Sequence, residues 1–224
     1  VALILNIETA TTNCSVSLSK EGKTLFLKED NSKNYSHAES LHVFIDAVLK
    51  EGGITSKALD AIAISKGPGS YTGLRIGVSA AKGLCFALDK PLISVPTLEA
   101  LAHQVDCNDG IIVPMLDARR LEVYAAIFNS NYKEIRETEA QILDENAFVE
   151  YLYKGNVYFV GNGVEKTKAI INHPNAVFIE DKLPSASEMS MLAYTKYKIS
   201  DFEDVAYFEP YYLKDFVALK SNKN

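Results

Sequence analysis

The residues best placed to do chemistry are a glycine-rich run, two carboxylates and a pair of histidines. The run SKGPGSYTGLRIGVS (65–79) puts three glycines between an apolar segment and a helix-like one. Backbone N–H groups at such a strand-to-helix turn can bind phosphate, so Gly67, Gly69, Ser70 and Glu8 are the candidate anion or nucleotide contacts. The run is not a Walker A motif, because no Gly-Lys-Ser/Thr stands at the required offset. Read as Gly67-x-Gly69-x-x-Thr72, it misses the dinucleotide fingerprint at its last position. Pro68 and Thr72 flank Ser70 where a nucleophile elbow needs glycines. A tight turn that simply launches a helix stands beside the anion cradle as a second reading. Glu8 ends the first strand and Asp117 the first strand of the second half, where two halves of a duplicated fold would face a cleft. A Mg²⁺–phosphate grip by such hairpins needs an acid and a glycine; ETAT (8–11) and DARR (117–120) keep the acid and lack the glycine. His37 and His42 are five residues apart, about 140° round a helix, whereas two metal ligands on one helix want i,i+4. No metal site is expected, and His42 reads as a solvated neighbour of Asp46.

The elements that must carry these residues follow from periodicity. ALILNIE, NCSVSLS and KTLFLKED read as a three-strand meander. A helix opens with a capping box, Ser36 and Glu39, and ends at Gly52-Gly53. Strand LDAIAIS leads through the glycine run into a helix over about 72–88, then strand PLISV and a helix capped by Thr97. The second half repeats this with IIVPMLD, EVYAAIF and TEAQIL, a helix around 144–153, and strands NVYFV and AVFIE separated by a GNG turn and a helix. A last helix has a capping box of Ser185 and Glu188. The fold class expected is α/β, a duplicated βββαβα unit in two lobes, 1–97 and 98–224. The C-terminal helix and tail, from about 185, are expected to pack back on the first lobe.

The two helices of the first lobe are unusually apolar. In the second, Leu74, Val78, Ala81, Cys85 and Leu88 form one stripe and Gly73, Gly77, Ala80, Leu84 and Ala87 another; Phe86 interrupts the polar strip of Arg75, Ser79 and Lys82. That is wider than packing on one sheet requires. Gly77 and Gly83 each cost about 1 kcal/mol relative to alanine in a helix interior. In the first helix His37, Leu41, Phe44, Ile45, Val48 and Leu49 form a core-type face, which Val43 and Ala47 extend sideways. Either the small residues allow dense packing within the chain, or they let a partner's helix approach.

Composition excludes several classes. The chain has 224 residues, 47% of them hydrophobic, and a formal net charge of −6, which allows a substantial core. Its only arginines are Arg75, Arg119, Arg120 and Arg136, so standalone nucleic-acid binding is not expected. Cys14, Cys85 and Cys107 form no CxxC pair, which gives neither a zinc site nor a disulfide framework. No run reaches the ~18 apolar residues of a membrane span and the first strand is too short for a signal segment; a soluble cytoplasmic protein is expected.

The segments LILNIETATTNCSVSL, HAESLHVFIDAVL, DAIAISKGPGSYTGLRIGVSAAKGLCFAL, VPTLEALA, MLDARRLEVYAAIF, VGNG and FEPYYLK together resemble the bacterial TsaB (YeaZ) family, in family order over nearly the whole chain. The resemblance implies the actin/Hsp70/sugar-kinase fold with a truncated second lobe. It implies a non-catalytic scaffolding or activating subunit of the complex that forms N6-threonylcarbamoyladenosine beside the tRNA anticodon. The metal-binding H-x-x-x-H of the larger paralogue TsaD is here H-x-x-x-x-H. Implied partners are a TsaD-type subunit, bound as a heterodimer through the first two helices, and a TsaE-type ATPase. The chain alone is expected to be a homodimer, to meet tRNA only indirectly and to hold no cofactor firmly; ATP and Mg²⁺ enter through the partner subunits. The interface would be carried by His37, Leu41, Phe44, Ile45, Val48, Tyr71, Gly73, Leu74, Arg75, Gly77, Val78 and Ala81. Departures from the family are Glu8 for Asp, Tyr71 for Phe, and Lys214 for an Arg, which loses bidentate pairing. Arg75 and Arg119 match family arginines, with an internal salt bridge and a tRNA or partner contact both open. The alternative, a superfamily enzyme of peptidase or small-molecule kinase type, would need a metal-ligand set or an intact phosphate loop.

Overall fold

Side-chain alternation along the first strands decides how the chain layers. In the computed structural model, which describes residues 1–31 and 37–214, β1 (Leu3–Glu8), β2 (Cys14–Lys20) and β3 (Lys23–Asp30) form an antiparallel meander. Helix α1 (His37–Glu51), β4 (Ala61–Ser65), α2 (Tyr71–Leu88), β5 (Leu92–Val95) and α3 (Thr97–Ala102) follow. The sheet order is β3-β2-β1-β4-β5, with β4 parallel to β1 and β5 parallel to β4.

The second half repeats it with β6 (Ile111–Asp117), β7 (Glu122–Asn129), β8 (Glu134–Ile142), α4 (Val149–Leu152), β9 (Val157–Val160), α5 (Val164–Lys168), β10 (Ala176–Ile179) and α6 (Ala186–Lys198). Its sheet order, β8-β7-β6-β9-β10, is the same in order and direction. Two copies of one strand order, each three antiparallel strands followed by two parallel ones, are the duplicated actin/Hsp70/sugar-kinase arrangement. The copies are unequal: α1 and α2 have 15 and 18 residues, their counterparts α4 and α5 only 4 and 5. The helix expected over 144–153 thus contracts to one turn.

One face of the first sheet, carrying Leu5, Ile7, Val16, Leu18, Ile62 and Ile64, packs with Leu41, Val48, Val78 and Ala81 of α1 and α2. The opposite face meets α6 through Ile4, Ala61, Ala63 and Ile93 against Ala186, Met189 and Ala193. This second interface also has a polar seam. Asn6 Nδ2 donates to Ser17 Oγ and Ser19 Oγ, both at 3.0 Å, and Ser17 Oγ donates to Ala186 O at 2.8 Å. Ser15 and Ser185 hydroxyls both donate to Glu29 Oε2, at 2.9 and 2.8 Å. Buried hydroxyls need such partners, so the serines of β2 lie buried where their alternation resembles a solvated face.

Helix caps differ from expectation in instructive ways. Ser185 accepts the Ser187 N–H at 3.2 Å, while Glu188 accepts from Gln104 Nε2 at 3.3 Å instead of closing a capping box. Pro96, not Thr97, takes the cap position of α3; Thr97 Oγ1 accepts the Gly67 N–H at 3.1 Å and so braces the glycine turn. Ser36 lies outside the described residues. After α6 the chain forms a strap. Glu203 N–H donates to Leu92 O at 2.9 Å, Lys82 Nζ to Ala206 O and Phe208 O at 3.0 Å, and Tyr211 N–H to Lys66 O at 2.7 Å. The strap ends at an ion pair between Lys214 and Glu122. Among the described residues no helix is long and apolar enough to cross a membrane.

Candidate functional site

The glycine turn is filled by its own chain. Ser70 N–H donates to Ala10 O at 2.6 Å, Ser70 Oγ accepts the Gly73 N–H at 3.2 Å as the cap of α2, and Gly67 N–H is held by Thr97. Gly69 lies against Ala10, and a Cβ at Gly73 or Gly77 would overlap Thr9. Three N–H groups of the run that could meet a phosphate, those of Gly67, Ser70 and Gly73, are already committed. Glu8 does not face a cleft; it is fully buried. Its Oε1 accepts Ala10 N–H at 2.6 Å and Ser65 Oγ–H at 2.8 Å, and its Oε2 is buried with no hydrogen-bond partner among the described residues. Burial pushes this carboxyl up to about 7 against three hydrogen bonds that lower it. Burial likewise drives the thiols of Cys14 and Cys85 to about 11 and about 12, far from a reactive thiolate. Among the described residues no three His, Cys, Asp or Glu side chains form a metal-ligand group.

The small residues of α2 are packed within the chain, as are most of the residues expected from sequence at the interface. His37, Leu41, Ile45, Val48, Gly73, Leu74, Gly77, Val78 and Ala81 are all buried in this chain's own core. Buried side chains of this kind offer a partner little area. Thr9, at the end of β1, occupies the space that Gly73 and Gly77 leave. Three of the expected residues remain reachable: Phe44 and Tyr71 are half-buried and Arg75 is exposed. The Arg75 guanidinium lies 4.5 Å over the Tyr71 ring, which packs 5.0 Å from Tyr212 of the strap.

What α1 and α2 do present is a groove of about 620 Å³, lined by Ala38 and His42 of α1 and by Arg75, Ile76, Ser79, Ala80, Gly83 and Leu84 of α2. His42 is exposed and lines this groove, while Asp46, one turn further along α1, pairs with Lys50 at 2.6 Å. Val43 on α1 and Phe86 on α2 are 62% and 88% exposed. Gly83 is decisive: among the described residues, nothing beyond its own turns of helix comes within 4 Å of where its Cβ would be. A helix-interior glycine costs about 1 kcal/mol against alanine, and here no internal contact requires it. Val43, Gly83 and Phe86 are not among the interface residues expected from sequence, although each carries a signal there: Val43 widens the apolar face, Gly83 is a costly interior glycine and Phe86 interrupts the polar strip.

The β6–β7 hairpin is the counterpart of the hairpin that holds Glu8. Asp117 is exposed, and its Oδ1 accepts Arg119 N–H at 2.7 Å and Lys166 Nζ–H at 2.5 Å. Lys166 Nζ also donates to Arg120 O at 2.9 Å and Glu122 O at 3.0 Å. Arg119 and Arg120 both adopt left-handed backbone, at φ 68° and 51°, a conformation that costs roughly 1–2 kcal/mol per residue with a Cβ.

Comparison with known proteins follows the same lines. Residues 31–221 match the family model described as TsaD, tRNA N6-adenosine threonylcarbamoyltransferase. The tRNA threonylcarbamoyladenosine biosynthesis protein TsaB of Escherichia coli is 30% identical over 97% of this chain and 96% of its own length. That of Haemophilus influenzae is 28% identical over 97% and 95%. The solved structure of YeaZ from Pseudomonas aeruginosa superposes with a TM-score of 0.82 at 27% identity, covering 95% of this chain and all of that one.

Proposed function

The chain belongs to the TsaB (YeaZ) family, within the wider group matched by the TsaD model, and on that premise we propose that it serves threonylcarbamoyladenosine formation in tRNA as a non-catalytic subunit. It binds a TsaD-type subunit through the α1–α2 groove. The observation that carries this reading is Gly83, a costly glycine with open space above it, in a groove flanked by exposed Val43 and Phe86. Such a surface fits helices of a partner, because a missing side chain lets backbones approach closely.

The chain contributes a surface and no reacting group. Glu8 is sealed, Asp117 is bound by Lys166, and the N–H groups of Gly67, Ser70 and Gly73 have internal acceptors. ATP and Mg²⁺ belong to the partner subunits, including a TsaE-type ATPase, and the same groove pairs two copies when the chain is alone. Size-exclusion chromatography with light scattering, on the chain alone and mixed with the TsaD-type paralogue of the same genome, tests this. A mixed complex should replace the self-associated species, and Gly83→Leu should abolish it while the isolated chain stays folded by circular dichroism. Association unaffected by Gly83→Leu and by Phe86→Asp would remove the groove from the interface.

A further inference from the structure

We propose that the tip of the β6–β7 hairpin contacts the phosphate backbone of RNA directly, through Arg119 and Arg120. The inference rests on the tRNA reading above and departs from the expectation that this acidic chain meets tRNA only through its partners. Four arginines serve the whole chain, and two of them are adjacent here. Arg75 is stacked on Tyr71, and Arg136 is paired with Glu139 at 2.9 Å. Arg119 and Arg120 are exposed, and among the described residues neither guanidinium has a hydrogen-bond, ion-pair or ring partner.

Their backbone is organised to present them. Glycine is the residue suited to φ of 68° and 51°, yet the chain holds arginines there and fixes the tip from beneath. Asp117 holds the Arg119 N–H, Lys166 holds the Arg120 carbonyl, and Glu122 N–H donates to Arg119 O at 3.2 Å. Strained positions occupied against local preference are found where the side chain is needed. Lys166 and Lys214 join the two arginines around the hairpin, against Asp117 and Glu122. Lys166 and Lys214 thereby neutralise Asp117 and Glu122, so neither carboxylate is left to pair with the two guanidiniums. Two unpaired guanidinium forks side by side match phosphate oxygens in charge and in planar donor geometry. RNA phosphate is thus favoured over an uncharged or basic protein surface.

The test is fluorescence anisotropy of an unmodified tRNA transcript against the assembled complex across a salt series, with the free chain titrated in parallel. Arg119→Gln with Arg120→Gln should weaken binding about tenfold at low salt and make the log K against log salt slope shallower by about 1 to 2, as expected for two lost phosphate contacts. Arg119→Lys with Arg120→Lys should keep most of the slope. Arg119→Gly with Arg120→Gly should lose the RNA contact yet unfold at higher denaturant concentration, which separates binding from folding. Unchanged affinity and slope in the glutamine variant would overturn the proposal. So would a glutamine variant that no longer assembles by light scattering, since the tip would then hold a protein partner. If the wild-type chain fails to associate with the paralogue, the groove reading fails, while the free-chain titration still decides the hairpin.

Discussion

Gly77 and Gly83 stand six residues apart on α2 and act in opposite ways. At Gly77 a Cβ would overlap Thr9 Oγ1 and lie 3.0 Å from Ile64 Cδ1, so Gly77→Ala should destabilise the chain by about 1–3 kcal/mol through overpacking. At Gly83 the space is open, so Gly83→Ala should stabilise the isolated chain by about 1 kcal/mol. Urea midpoints moving in opposite directions would check both. Glu8 sets a pH dependence. Its carboxyl keeps its proton to about 7 in the fold and loses it near 4.5 in the unfolded chain. Below 4.5 both states are protonated. Between 4.5 and 7 the unfolded chain releases the proton first, so stability falls as pH rises, by about 3 kcal/mol in all. Glu8→Gln should remove this contribution, so that the urea midpoint falls less between pH 5 and pH 7 than it does in the wild type. These roles were only half legible in the sequence. The spacing of Gly73 and Gly77 announces close approach, but a small residue looks the same whether Thr9 of its own chain or a partner's helix fills the gap. Nothing in Arg-Arg announces left-handed backbone, because it goes with bonds to the tip from Asp117, Glu122 and Lys166.

Among the elements, the strands and the two long helices were readable because period-2 and helical patterns persist over their whole length. The truncation of α4 and α5 was not, since one-turn helices carry no period. Helix α6 was legible as a helix, while its seat against the serines of β2 depends on contacts far apart in the chain. Met189 is its best-buried large side chain, with no accessible surface, and packs into the cluster with Ile4, Ala61 and Ile93. Met189→Ala should cost about 2–5 kcal/mol, read as a fall in the denaturation midpoint. Amide exchange over 186–198 should show whether α6 loosens first.

At the scale of the whole molecule, the strap ties the two lobes together along the edge of α2. Lys82 holds two of its carbonyls, and Lys214 reaches Glu122 of the second lobe. Lys82→Met should remove both carbonyl bonds and open the segment around Ala206–Phe208, seen as faster limited proteolysis there with the denaturation midpoint moving far less than for Met189→Ala. The seat of α6 bears on synthesis as well as on stability. The sheet built from residues 3–95 is capped on one face by its own helices, but its other face waits for residues 186–198. While the chain emerges from the ribosome, at roughly 5–20 residues per second, Ile4, Ala61, Ala63 and Ile93 stay uncovered until most of the second lobe has been made. The first lobe to be translated is therefore among the last to be finished, and a chain released before residue 186 would carry a sticky sheet with no means of covering it.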